Sequence, residues 1–269
     1  MNVPVFESEQ QRLISRVHEL CRLDSRLDAA LMYGSFAQGT GDAHSDVEFW
    51  LFFATDLRHV DASAWCNQVA PVLHVVRNEF GAHVAFFAGL IRGEFHFATV
   101  DDIAAVARWP ARGAPVHRMI VVDRHNRLRP ALESLPDSAP VPQTWADIDA
   151  LCGRFANWLV LAHHVRRRGE LFRALDALAH VHRHLLWMAR LVEEDTEHWL
   201  TPSRRAEAEL TPPTIHTLVS STAVAEDTAI RAAILHAWSC GRSWWTRLAD
   251  RYGAPVPQGL FAELDRVLG

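Results

Sequence analysis

Ser45-Asp46-Val47-Glu48 opens a segment that otherwise runs Val47, Phe49, Trp50, Leu51, Phe52, Phe53. In a β-strand alternate side chains share a face, so Asp46 and Glu48 project together, roughly 7 Å apart along the chain. Carboxylates in such apolar company are costly unless something positive accompanies them. A hard cation is the natural partner, because Mg²⁺ takes one or two carboxylates and keeps positions for phosphate oxygens. Just upstream, Gly34-Ser35 follows the apolar run "LDAALMY", and Gly39 and Gly41 keep the connecting loop thin. Backbone N–H groups there can approach a polyphosphate closely. A strand, Gly-Ser, a short glycine loop and an acid pair together describe handling of a nucleotide triphosphate with Mg²⁺.

The elements that must hold these residues follow from periodicity. Residues 7–23 carry Leu13, Val17, Leu20 and Cys21 at helical spacing. "LDAALMY" (27–33) and "VEFWLFF" (47–53) read as buried strands, and residues 61–77 read as a helix. "AHVAFFA" (82–88) and "RGEFHFATV" (92–100) read as a hairpin joined at Gly89. "DDIAAVARW" (101–109) starts with acids suited to a helix N-terminus, and "RMIVVD" (118–123) reads as a last strand. Pro130, Pro136, Pro140 and Pro142 then interrupt every element, so the domain linker is expected there. Beyond it apolar residues recur at helical spacing over 151–165, 171–188, 230–240 and 258–268, with a turn-rich insertion at 200–214. The expected plan is α+β: a sheet domain over 1–137 and a C-terminal helical bundle over 143–269.

Composition narrows the chemistry by exclusion. All 27 basic residues are Arg, which removes a P-loop lysine, a Schiff base and a kinase-type lysine. A net charge of −5 argues against nucleic acid as partner. Cys21, Cys66, Cys152 and Cys240 stand singly, which suits reduced thiols and neither disulfides nor a zinc knuckle. No apolar run is long enough to span a bilayer and the N-terminus lacks a signal-peptide pattern, so no membrane partner and a cytoplasmic location are expected.

The pattern G-S-x(9–12)-D-x-[D/E] resembles the signature of the nucleotidyltransferase superfamily that includes DNA polymerase beta and the antibiotic nucleotidyltransferases. "NEFG" (78–81), "LIRGEFHF" (90–97), "LLWMARLVE" (185–193) and "EHWLTPSR" (197–204) extend the likeness to the larger lincosamide nucleotidyltransferases. The resemblance implies a nucleotidyltransferase-type mixed sheet, ATP as co-substrate, Mg²⁺, transfer of AMP to a hydroxyl of a lincosamide, and a homodimer. It puts Gly34 and Ser35 on the nucleotide phosphates and Asp46 and Glu48 on the metal. It also calls for a third acid from a neighbouring strand.

Alternation places Arg92, Glu94 and His96 on one face of their strand and Phe95 and Phe97 on the other. Glu94 is therefore the expected third acid and general base, with Asp101, Asp102 and Asp123 as rivals. Arg92 is expected on phosphate oxygens in place of the missing lysine, and His96 and Trp199 near the acceptor. His180 and His184 have metal-ligand spacing, but nothing completes a site, so they read as helix-face residues. Arg166-Arg167-Arg168 reads as a helix C-terminus, and Trp238, Trp244 and Trp245 as core.

Substrate class is read from charge. Residues 143–269 hold 15 acids, 14 Arg and seven of the ten Trp. A polycationic aminoglycoside needs several unpaired carboxylates, so this near-neutral, aromatic half suits a lincosamide better. The competing expectations are an aminoglycoside nucleotidyltransferase and a non-catalytic antitoxin-type module of the same fold.

Overall fold

The computed structural model describes residues 8–54 and 56–268 of the chain, which divides into two units, Met1–Pro140 and Val141–Gly269. The first unit begins with α1 (Glu9–Leu23), one residue after a capping box in which Ser8 and Gln11 satisfy each other's backbone N–H groups. Glu7, at the expected start of this helix, lies outside the described residues. α1 turns Leu13, Val17, Leu20 and Cys21 into the core beneath the sheet.

The sheet contains β1 (Leu27–Tyr33), β2 (Val47–Phe53), β3 (His74–Arg77), β4 (His83–Phe86), β5 (Arg92–Thr99) and β6 (Ile120–Asp123), ordered β3-β4-β5-β2-β1-β6. β2 and β5 run parallel and every other neighbour antiparallel, so the sheet is mixed. β4 and β5 form the expected hairpin through Gly89, whose φ of 72° lies in the left-handed region that glycine tolerates. On the core face Phe49 and Phe95 stack at 6.0 Å across the parallel pair, with Trp65 edge-on to Phe95.

Three local expectations fail. The helix expected over 61–77 is only α3 (Ala62–Val69), because Pro71 forces Ala70 into extended backbone and the following Val75-Val76 pairs with β4 as β3. The Gly34-Ser35 loop is a helical turn, α2 (Gly34–Gln38). The helix expected over 101–109 shrinks to α4 (Ile103–Val106), because Asp102 accepts the Thr99 N–H at 2.8 Å and closes a tighter turn before it. After α5 (Val116–Met119), the Asp123 carboxylate accepts the N–H groups of Arg127, Leu128 and Arg129 and starts α6 (Leu128–Glu133). The proline-rich stretch thus holds a short helix, since Pro130 falls in its first turn, where a missing N–H costs nothing.

The second unit is helical throughout: α7 (Trp145–Arg167), α8 (Leu171–Glu193), α9 (Ala206–Glu209), α10 (Pro212–Ser220), α11 (Asp227–Arg251) and α12 (Gln258–Leu268). Trp238, Trp244 and Trp245 are in its core, as expected. The insertion at 200–214 carries helical turns, and its anchor is Arg190. That side chain is fully buried and donates to the carbonyls of Pro202 at 2.7 Å, Arg204 at 2.6 Å and Asp195 at 3.3 Å, and to Glu209. Arg190→Met is expected to lose about 3–5 kcal/mol, because those carbonyls and Glu209 are left without their donor. Urea denaturation of the purified variant measures this; a loss below about 1 kcal/mol would mean that water replaces the guanidinium.

Two further expectations resolve here. His180 stacks on Trp158 at 4.0 Å and His184 bonds the His180 carbonyl at 2.7 Å, so both pack as helix-face residues. Arg166 is more than a helix-end cation: it is buried and its Nη1 engages both oxygens of Asp227, at 2.7 and 2.8 Å.

Candidate functional site

One face of the sheet unit gathers most of the expected residues. The parallel register sets Glu48 directly beside Glu94 and Trp50 beside His96, while the antiparallel register sets Tyr33 against Glu48. Asp46 precedes β2 by one residue and pairs with Arg92, which opens β5. The second Nη of Arg92 lies 3.7 Å from Glu94 Oε2. Asp46 and Glu94 therefore share one guanidinium, with Glu48 in register beside Glu94.

Gly34 closes this face from the β1 side. Its φ is 72°, and a Cβ added there would collide with the Glu48 carboxylate. Only glycine allows the chain to turn out of β1 while the carboxylate lies against its backbone. Gly34→Ala is accordingly expected to push the Glu48 head group aside and strain the turn, lowering any activity that needs Glu48 by about 10–100-fold, as displacement of a reacting group by about 1 Å does. Kinetics of the folded variant measure this, with full activity showing that Glu48 is not required where it stands.

Electrostatics follow from the crowding. Asp46 is held above the usual carboxylate range, chiefly by burial and further by the Glu94 charge, with Arg92 opposing. The Tyr33 phenol is pushed up by burial, by the charges of Glu94, Glu48 and Asp46, and by its own hydrogen bond to Glu94. His96 is held below its usual value by burial, although Glu94 pulls the other way, so the ring is neutral near pH 7. The face sets the carboxylates of Asp46, Glu48 and Glu94 against the one guanidinium of Arg92. This donor set fits a hard divalent cation. Among the described residues no three His, Cys, Asp or Glu side chains close around a common point, and Mg²⁺ does not require it, since one or two carboxylates suffice when phosphate oxygens supply the rest.

Tyr33, Trp50 and Trp109 complete the face and were not expected there. Tyr33 donates its hydroxyl to Glu94 Oε1 at 2.9 Å, and His96 Nε2 lies 3.4 Å from the same oxygen. Trp50 stacks on His96 at 4.0 Å, with Tyr33 and Trp109 tilted against the pair. Trp50 was legible, since it alternates with Glu48 along β2. Tyr33 needed the β1–β2 register, and Trp109 had no sequence signal.

Ser35 lies in the first turn of α2, where its carbonyl accepts the Thr40 N–H at 2.9 Å. Trp199 belongs to the helical unit and is half-buried; its carbonyl accepts the Trp187 indole N–H at 2.8 Å. Asp123 accepts backbone N–H groups on both carboxylate oxygens and Asp102 on one, and Asp101 and Asp102 follow the far end of β5 from Glu94.

Comparison with known proteins finds a family match for the helical unit. Residues 144–267 match the family model of the lincosamide nucleotidyltransferase-like C-terminal domain. The helical unit is therefore similar to the C-terminal domain of the lincosamide nucleotidyltransferases. Among solved structures, the chain is similar to an aminoglycoside 6-adenyltransferase from Bacillus subtilis, with 11% identity over 97% of each chain and a TM-score of 0.45. A nucleotidyltransferase-like protein from Exiguobacterium sibiricum matches with 13% identity over 97% of this chain and 88% of its own, at a TM-score of 0.34. A CCA-adding enzyme in complex with CTP matches with 13% identity over 99% of this chain and 74% of its own, at 0.33. No curated protein matches the chain. Among the described residues no helix is long and apolar enough to cross a membrane.

Proposed function

We propose that this protein is a nucleotidyltransferase in which a lincosamide hydroxyl attacks the α-phosphorus of ATP, forming the new P–O bond as the α–β phosphoanhydride bond breaks and pyrophosphate leaves. The observation that carries the transfer chemistry is the in-register Glu48–Glu94 pair, with Asp46 beside it and Gly34 against Glu48. Asp46 and Glu48 would hold Mg²⁺. When bound, that ion neutralises charge on the triphosphate and leaves phosphorus open to attack. Glu94 takes the proton of the acceptor hydroxyl on a carboxylate oxygen, as general base. Tyr33 fixes that carboxylate through Oε1, and Arg92 both orients it and adds positive charge for phosphate oxygens. The α2 turn offers backbone N–H groups from Gly34 and Ser35 to the phosphates. The stacked Trp50–His96 wall gives the acceptor a flat surface beside the base.

Substrate class is supported by the family match and by the helical unit's acids. Glu193 is bonded to Thr211 and Thr214, Glu194 pairs with Arg251 at 3.1 Å, and Asp195 pairs with Arg190 at 3.3 Å. Glu209 meets Arg190, Arg205 and His198. Acids so engaged are poor partners for a polycation, whereas a lincosamide joins a hydroxylated thiosugar to an apolar amide and brings at most one positive charge.

The test is incubation with ATP, Mg²⁺ and a panel of lincomycin, clindamycin, kanamycin and gentamicin, read by mass spectrometry. Lincomycin or clindamycin is expected to gain one AMP. Efficient modification of an aminoglycoside with the lincosamides untouched would overturn the substrate and leave the reaction type.

A further inference from the structure

The two oxygens of Glu94 are held differently. Oε1 accepts the Tyr33 hydroxyl at 2.9 Å and has His96 Nε2 at 3.4 Å. Oε2 accepts no hydrogen bond among the described residues and faces Arg92 at 3.7 Å. A carboxylate oxygen has two lone pairs, so Oε1 can take both donors while Oε2 is left for a proton.

His96 is placed to serve as the second donor. The parallel register sets it beside Trp50, and the two rings stack at 4.0 Å with an interplanar angle of 7°, which fixes the imidazole plane. The Tyr33 ring is tilted against it at 6.1 Å. The side chain is half-buried, and burial keeps the ring neutral near pH 7. A neutral imidazole carries one N–H, and a carboxylate facing Nε2 favours the tautomer with the proton on that nitrogen. The 3.4 Å separation is long for a hydrogen bond, as catalytic contacts often are before the substrate tightens them.

We infer that His96 is a positioning residue for Glu94: together with Tyr33 it holds Oε1, and so presents Oε2 as the oxygen that takes the acceptor proton. This rests on Glu94 being the general base. The N–H and the stacking surface are separate properties of one ring, so each can be removed alone. His96→Phe keeps a flat ring against Trp50 and removes the N–H. His96→Gln gives up the ring and keeps an amide N–H near the place of Nε2.

Turnover of the full chain with ATP, Mg²⁺ and the drug panel, followed by pyrophosphate release, tests the role. His96→Phe is expected to melt near wild type and to lower kcat by about 10–100-fold, as a reacting group about 1 Å out of place does. Its KM for ATP should move by less than about twofold, because ground-state binding is untouched. His96→Gln is expected to recover most of the lost kcat. Full activity in His96→Phe, or equal loss in both folded variants, overturns the inference, since the N–H would then matter to nothing or rescue nothing. Proton NMR of the full chain gives a readout independent of turnover: a ring N–H of His96 protected from exchange is expected in the wild type and lost in folded Glu94→Ala. Its absence from the wild type, or its survival in Glu94→Ala, overturns the contact even where transfer proceeds. Its presence with no acceptor modified would keep the contact and remove Glu94 as base.

Discussion

Asp46→Asn and Glu48→Gln are each expected to lower adenylyl transfer by about 10³-fold or more at saturating Mg²⁺, because a neutral amide supplies neither the charge nor the oxygen pair that a hard cation takes. The two variants fail for related reasons but differ in what else they disturb. Asp46 pairs with Arg92, whose side chain is 41% exposed, so losing the pair should change stability by no more than about 1 kcal/mol. Removing the Asp46 charge also lifts a repulsion, since burial and Glu94 already hold its carboxyl above the usual range. A melting temperature at or near wild type with transfer lost is therefore the expected combination. Near-wild-type turnover in either folded variant would remove that acid from the site.

The legible and illegible parts of this site divide on register. Alternation within one strand is a local property, so Asp46 with Glu48, and Arg92 with Glu94 and His96, share faces on sequence grounds alone. Which strands are neighbours, and which residue lies opposite which, depends on the whole sheet. That is why Glu94 was one of four candidate acids before the structure aligned it with Glu48. The rivals were plausible because a carboxylate that caps a turn looks, in sequence, like one that binds a ligand. Asp102 and Asp123 both cap. Tyr33 was hidden for the same reason as Glu94, since its contact spans 61 residues of chain. The helix expected over 61–77 failed on a different point: apolar residues in a short run fit either period, and Pro71 decided the outcome. In the helical unit, burial of the aromatic residues was legible, but the burial of Arg190 and Arg166 was not. An Arg among leucines reads as the solvent edge of a helix until distant carbonyls or a carboxylate meet it.

Glu94→Gln separates the roles that register alone leaves joined. As general base, Glu94 acts when the acceptor hydroxyl gives up its proton, so its loss should lower kcat by about 10²–10⁴-fold. The KM values for ATP and drug should move little, because an interaction made chiefly in the transition state leaves ground-state binding intact. Gln keeps the shape and can still accept the Tyr33 hydroxyl, so the fold is retained. The rate of this variant should rise with pH where the wild type is flat, as hydroxide substitutes for the missing base. A KM for ATP that climbs as kcat falls would instead make Glu94 a metal ligand. Tyr33→Phe gives the graded counterpart: it removes one hydrogen bond to a charged group, worth about 1.5–3 kcal/mol, and should cost about 10- to 150-fold in kcat. Asp102→Asn and Asp123→Asn should cost about 1 kcal/mol of stability as weakened caps and leave kcat unchanged. Full activity in Glu94→Gln, with inactivity in a folded variant of Asp101, Asp102 or Asp123, would move the base to that residue and separate the chemistry from the Glu48–Glu94 register.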